Sequence, residues 1–60
     1  MKEKREILAE ERILAAAIEE FTACGYDATR MQSIADRADI SKSALHYYFR
    51  SKERLFKEVL

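Results

Sequence analysis

Proline is absent from these 60 residues, tryptophan is absent too, and glycine occurs once, at Gly25. A chain so short of turn punctuation builds helices joined by tight connections, and strands with long loops are disfavoured. The single cysteine, Cys24, excludes an intrachain disulfide and fits a cytosolic protein. As one small thiol at the end of a helical segment, it reads as packing and not as a nucleophile. No apolar run approaches the ~18 residues that a membrane span requires, and the N-terminus has no signal-peptide pattern. His46 has no second histidine beside it, so a metal set lacks ligands. No spacing suggests a catalytic pair or triad, and a chain this size buries only about 60% of its unfolded surface. That leaves little room for a substrate pocket. The expectation is a non-enzyme with no cofactor.

Net charge is also missing, with 11 basic residues against 11 acidic ones. The balance is segregated along the chain, however. Residues 1–28 carry four basic and seven acidic groups, net −3, whereas residues 29–56 carry six and three, net +3. The second half is where an anion would dock, because screened fields act over about one Debye length.

What the sequence does have is helical periodicity. Ile13, Leu14, Ala17, Ile18 and Phe21 recur on one side of a first long helix, with Arg12, Ala16, Glu19 and Glu20 mostly on the other. Its start is open: residues 1–11, "MKEKREILAEE", form either a charged arm or a helix extension. Lys2, Lys4 and Arg5, interleaved with glutamates, read as solvated. Gly25 ends the helix in a left-handed position. Thr29 and Gln32 have the spacing of a capping box for a second helix, with Arg30 as an alternative cap, and Met31, Ile34, Ala35 and Ala38 form its apolar stripe. Ser41 is placed to cap a third helix running from Lys42 to about Phe49 or Arg50. Ser51 repeats the device for a fourth, "KERLFKEVL", whose stripe is Leu55, Phe56, Val59 and Leu60. That helix runs to the last residue with an apolar end, so the chain is expected to be the N-terminal piece of something longer. The expected fold is all-α, a three-helix homeodomain-like bundle with the start of a fourth helix.

Two short helices after a longer one, joined by a turn of about three residues, match the helix-turn-helix plan, which lays its second helix in the DNA major groove. With Leu45 and Phe49 facing the core, Ser43 and Tyr47 point away from it. Ala44 and His46 flank that outward face, Lys42 sits at its N-terminal edge, and Tyr48 lies beside the core direction. Ser43 can bond either base type, Ala44 offers a methyl to thymine, and Tyr47 combines ring area with a hydroxyl. His46, Tyr48, Lys42 and Lys52 are placed for the flanking phosphates. Arg30 and Gln32, in the first turn of helix two, reach toward a phosphate and a base.

The stretch "ILAAAIEEFTACGYDATRMQSIADRADISKSALHYYFRSKERLFKEVL" resembles the N-terminal DNA-binding domain of the tetracycline-repressor (TetR) family of bacterial transcription regulators, over roughly residues 12–60. The segments "ILAAA", "GY", "IA" and "ISKSALHYYFRSKERLF" carry most of the likeness. The resemblance implies a cytoplasmic bacterial repressor that binds a partly palindromic double-stranded operator as a homodimer and releases it when a small molecule binds. Dimerisation and effector binding would belong to a C-terminal domain absent from this sequence. By resemblance, Ser43, Ala44 and Tyr47 read bases, Gln32 occupies a position that sometimes does, and His46, Tyr48 and Lys52 hold phosphates. The chain departs from the family where Asp39 replaces the usual turn glycine and where Arg30 replaces a common threonine. The competing reading is a three-helix protein-interaction module whose outward aromatics meet another protein, since fold alone does not fix function.

Overall fold

The computed structural model describes residues 3–60; Met1 and Lys2, and with them any role of Lys2 in an arm, lie outside. Four helices follow one another: α1 Lys4–Cys24, α2 Met31–Arg37, α3 Lys42–Tyr48 and α4 Lys52–Val59. α1 packs against both α2 and α4, and α2 packs against α3. Residues 4–11 are therefore helical and continue α1 toward its N-terminus.

The core consists of Ile13, Ala16 and Ala17 from α1, Ile34, Ala35 and Ala38 around α2, Leu45 from α3 and Leu55 from α4. Half of these are alanines, which let the helix axes approach closely and leave the branched residues to fill the remaining space. Leu14, Phe21, Met31, Ile40, Tyr48, Phe49 and Val59 close the core's margin.

The buried face of α1 is rotated from the one its hydrophobic pattern predicts. Ile18 is 49% exposed, whereas Ala16 and Glu20 are buried. The cause is that α1 serves two partners. Arg12, Ala16 and Glu20 form one row at helical spacing, and both polar ends of that row bond to the α2 region. Arg12 Nη2 donates to the Ala38 carbonyl at 2.7 Å, and Arg37 Nε donates to Glu20 Oε2 at 2.7 Å. Phe21 turns instead to α4, meeting the Phe56 ring edge-on at 5.2 Å. A polar–alanine–polar row carries no hydrophobic signal, so a periodicity count places it on the solvent side.

The connections also differ in detail from expectation. Gly25 has φ 81° and ψ 163°, outside the left-handed helical region and in territory essentially restricted to glycine. The predicted capping box does not form. Thr29 is buried, and its hydroxyl donates to the Gly25 carbonyl at 2.7 Å, with the Glu20 carbonyl 3.1 Å away. This threonine closes the α1–α2 loop onto α1 and leaves Arg30 as the extended residue preceding α2, without a side-chain cap. Both serine caps do form: Ser41 Oγ accepts from Ala44 N at 3.0 Å and Ser51 Oγ from Arg54 N at 3.1 Å. α3 stops at Tyr48 because Phe49 adopts an extended backbone, φ −135° and ψ 118°, which drops its ring onto the core margin. In α4, Leu55 is buried, while Leu60, just beyond the helix, is 86% exposed.

Asp39, between α2 and α3, has φ 60°. Aspartate tolerates this conformation better than most residues, but a side chain there still costs on the order of 1 kcal/mol relative to glycine. Replacing Asp39→Gly is therefore expected to stabilise the domain by a few tenths to ~1 kcal/mol, the strain relief being partly offset by the freer unfolded chain. Urea denaturation of the two proteins measures the difference, and a lower midpoint for the variant contradicts the expectation.

Candidate nucleic-acid interface

α3 owes its orientation to Leu45, which is fully buried, and to the Ser41 cap that fixes its first turn. From that geometry Lys42, Ser43 and Tyr47 are exposed, while Ala44, His46 and Tyr48 are half-buried. Tyr47 projects furthest, at 74% exposure. Its ring meets the Tyr48 ring edge-on at 5.1 Å with an interplanar angle of 85°. Tyr48 itself packs against the core margin, so the outermost ring leans on one that is anchored. Such contacts favour one ring orientation over others.

The flanks are more constrained than the sequence suggests. His46 Nδ1 lies 3.2 Å from the Arg50 carbonyl, and a carbonyl accepts only, so this nitrogen carries a proton. Nε2 is left as the ring nitrogen not engaged by this contact. Lys52 is engaged from within. Its Nζ donates to the Tyr26 carbonyl at 2.7 Å, lies 3.4 Å from the Asp27 carbonyl, and sits 4.3 Å from the Tyr26 ring centroid. Tyr26 in turn joins Phe21 and Phe56 in a three-ring cluster with centroids 4.9–5.8 Å apart. A phosphate contact by Lys52 would use the remaining N–H of a lysine already tied to the α1–α2 loop. Arg30 and Gln32 are exposed at the start of α2, and Gln32 Nε2 donates to Asp36 Oδ1 at 2.8 Å.

Sequence reasoning missed Tyr26, Asp36, Arg12 and the Glu20–Arg37 pair. The last also engages Glu19, whose Oε2 is 3.4 Å from Arg37 Nη1. The Arg37 guanidinium is held above its ordinary pKa, first by the Glu20 hydrogen bond and next by the charge of Glu20, with desolvation acting the other way and Glu19 and Cys24 adding to the rise. Arginine is cationic at any working pH regardless, so the clamp does not titrate from the arginine side. Adjacent acidic residues in one helix and a basic residue in the next are the signal that was available for this pair.

Among the described residues, no group of three or more histidine, cysteine, aspartate or glutamate side chains could hold a metal ion, and no helix is long and apolar enough to cross a membrane. An open concavity of about 310 Å³ is lined by Tyr26, Glu53, Phe56, Lys57 and Leu60 and contains none of the predicted contact residues.

A capped recognition-type helix, oriented by a buried leucine and presented after a short second helix, defines a helix-turn-helix regulator domain. Residues 13–59 match the sequence profile of bacterial regulatory proteins of the tetR family, and the chain belongs to that family. It is 43% identical over 60 residues to the HTH-type transcriptional regulator RutR of Escherichia coli K12, an alignment covering 98% of this chain and 28% of that protein. It is 47% identical over 49 residues to the HTH-type transcriptional activator FasR of Mycolicibacterium smegmatis, covering 82% of this chain and 22% of that one. Among solved structures, a HlyIIR mutant protein superposes with a TM-score of 0.83 at 41% identity, over 85% of this chain and 28% of the other. The chain thus spans roughly a quarter of the length of the relatives it matches.

The Lys52 tether has a measurable consequence. A hydrogen bond from a charged group contributes a net of about 1.5–3 kcal/mol, and this half-buried contact belongs at the low end of that range. Lys52→Met keeps the apolar stem and removes the charge, and is expected to lower unfolding stability by about 1–2 kcal/mol. Thermal and urea unfolding check this, and an unchanged midpoint would mean that the contact is dispensable.

Proposed function

We propose that this chain is the operator-reading domain of a transcriptional regulator, binding double-stranded DNA with α3 in the major groove. The observation that carries the reading is Tyr47, a large ring at 74% exposure on the face of α3 opposite buried Leu45, held by the Tyr48 ring but outside the core. Ser43 and Ala44 lie beside it as base contacts, and Gln32 contributes from α2. Arg30, Lys42, His46, Tyr48 and Lys52 would bind phosphates and so set register without sequence information. The net positive charge of residues 29–56 supports this side as the one that meets DNA.

In a protein of the relatives' length, further parts would supply dimerisation and effector binding. We read the whole as a cytoplasmic bacterial homodimer on a partly palindromic operator, released by a small molecule and acting as a repressor. An activator is the second reading, favoured by the 47% identity to a protein named as one. The domain is suited to either, because the sign of regulation depends on where the operator lies.

Duplex binding measured against salt tests the reading. Log K should fall steeply with log salt, and Lys42→Ala should reduce the magnitude of that slope by about 0.9, one phosphate's share. Tyr47→Ala should cost roughly 1–3 kcal/mol on a selected site and little on random DNA. A flat salt response would favour the protein-interaction module, and equal Tyr47 losses on both DNAs would make that residue a backbone contact.

A further inference from the structure

We propose, resting on the DNA-reading role above, that Asp36 is a positioning residue that makes Gln32 a reader of adenine. Gln32 and Asp36 lie one turn apart on α2, both exposed, and joined by the 2.8 Å bond from Gln32 Nε2 to Asp36 Oδ1. A free glutamine amide is ambiguous: it offers two N–H donors at one end and a carbonyl acceptor at the other, and it can turn either toward a base. The carboxylate removes that ambiguity because it only accepts. The nitrogen end must face Asp36, which commits one N–H and leaves Gln32 with one donor and one acceptor.

That remainder can be set against each base in the major groove. Adenine presents an acceptor at N7 and a donor at N6, which use both remaining groups of Gln32. Guanine presents two acceptors, O6 and N7, and so asks for two donors, one of which is already spent on Asp36. Thymine offers one acceptor and a methyl, and cytosine one donor, so each satisfies only half of the amide. The Asp36 charge acts in the same direction, since it repels the guanine acceptors and attracts an exocyclic amine. The same carboxylate opposes phosphate binding in general, which separates its two effects experimentally: its removal should raise affinity while relaxing choice.

Random-duplex selection at low ionic strength, with quantitative competition on the selected sites, tests this for the 60-residue chain and for Gln32→Ala, Asp36→Ala and Asp36→Asn. Asp36 is exposed on α2 and alanine is the better helix former, so Asp36→Ala is expected to fold. The parent chain should select adenine at one position per half-site, and Gln32→Ala should erase that preference. Asp36→Ala should lower the adenine-over-guanine ratio there about fivefold or more while tightening binding to random duplex. Asp36→Asn keeps an acceptor oxygen without the charge, and should lose less of the ratio for a similar gain in affinity. An unchanged ratio in Asp36→Ala, guanine at the Gln32-dependent position, or no position dependent on Gln32 overturns the proposal while leaving the DNA-reading role standing. Failure of the parent chain to bind any duplex overturns that role, and the proposal with it.

Discussion

The placement of α2 and α3 depends on how α2 is held against α1, and beside the apolar contact through Ile13 and Ala17 that seam carries a row of three residues, Arg12, Ala16 and Glu20. Alanine in the middle lets the helices close, and the two charged ends reach across to Ala38 O and Arg37. A purely apolar seam would bury similar area but would allow α2 to slide or rotate, because hydrophobic contact is non-directional. Both hydrogen bonds fall on adjacent residues at the C-terminal end of α2, Arg37 and Ala38, and pin that end, from which the turn to α3 departs, against α1. α3 inherits that placement through a short turn and through Leu45. The side chains proposed to meet DNA are thus located by charges on the first helix.

The same contact shows what was legible in the sequence and what was not. Helix number, the two serine caps and the outward direction of Ser43 and Tyr47 could be read, because each follows from local pattern or from one wheel. The α1 face could not, because Ile18 and Ala16 trade places only when two packing partners flank one helix. Thr29 misled for a related reason. Its spacing to Gln32 suits a local cap, but a buried threonine hydroxyl finds acceptors in the carbonyls of Gly25 and Glu20, which belong to the preceding helix and loop. Local rules describe a residue's options, and tertiary contacts choose among them.

At the candidate interface, the gap between sequence and structure lies in side chains already committed within the domain. Lys52 looks like a free cation in the sequence, and the structure gives it two loop carbonyls and an aromatic face. His46 looks like an open imidazole, and one nitrogen is held by the Arg50 carbonyl. The type and order of residues name the chemistry available, whereas the number of donors left over depends on contacts made across 26 residues of chain in one case and four in the other.

The core described above contains four alanines among its eight members. Each is buried among the helices, so a larger residue overpacks the contact, and glycine would loosen the helix that carries it. Half of the interior is therefore nearly closed to substitution. The outward positions 43 and 47 on α3 have no such restriction. Variation in a lineage built on this frame would accumulate on the face proposed to meet DNA, and a new target sequence could be acquired without rebuilding the scaffold that presents it.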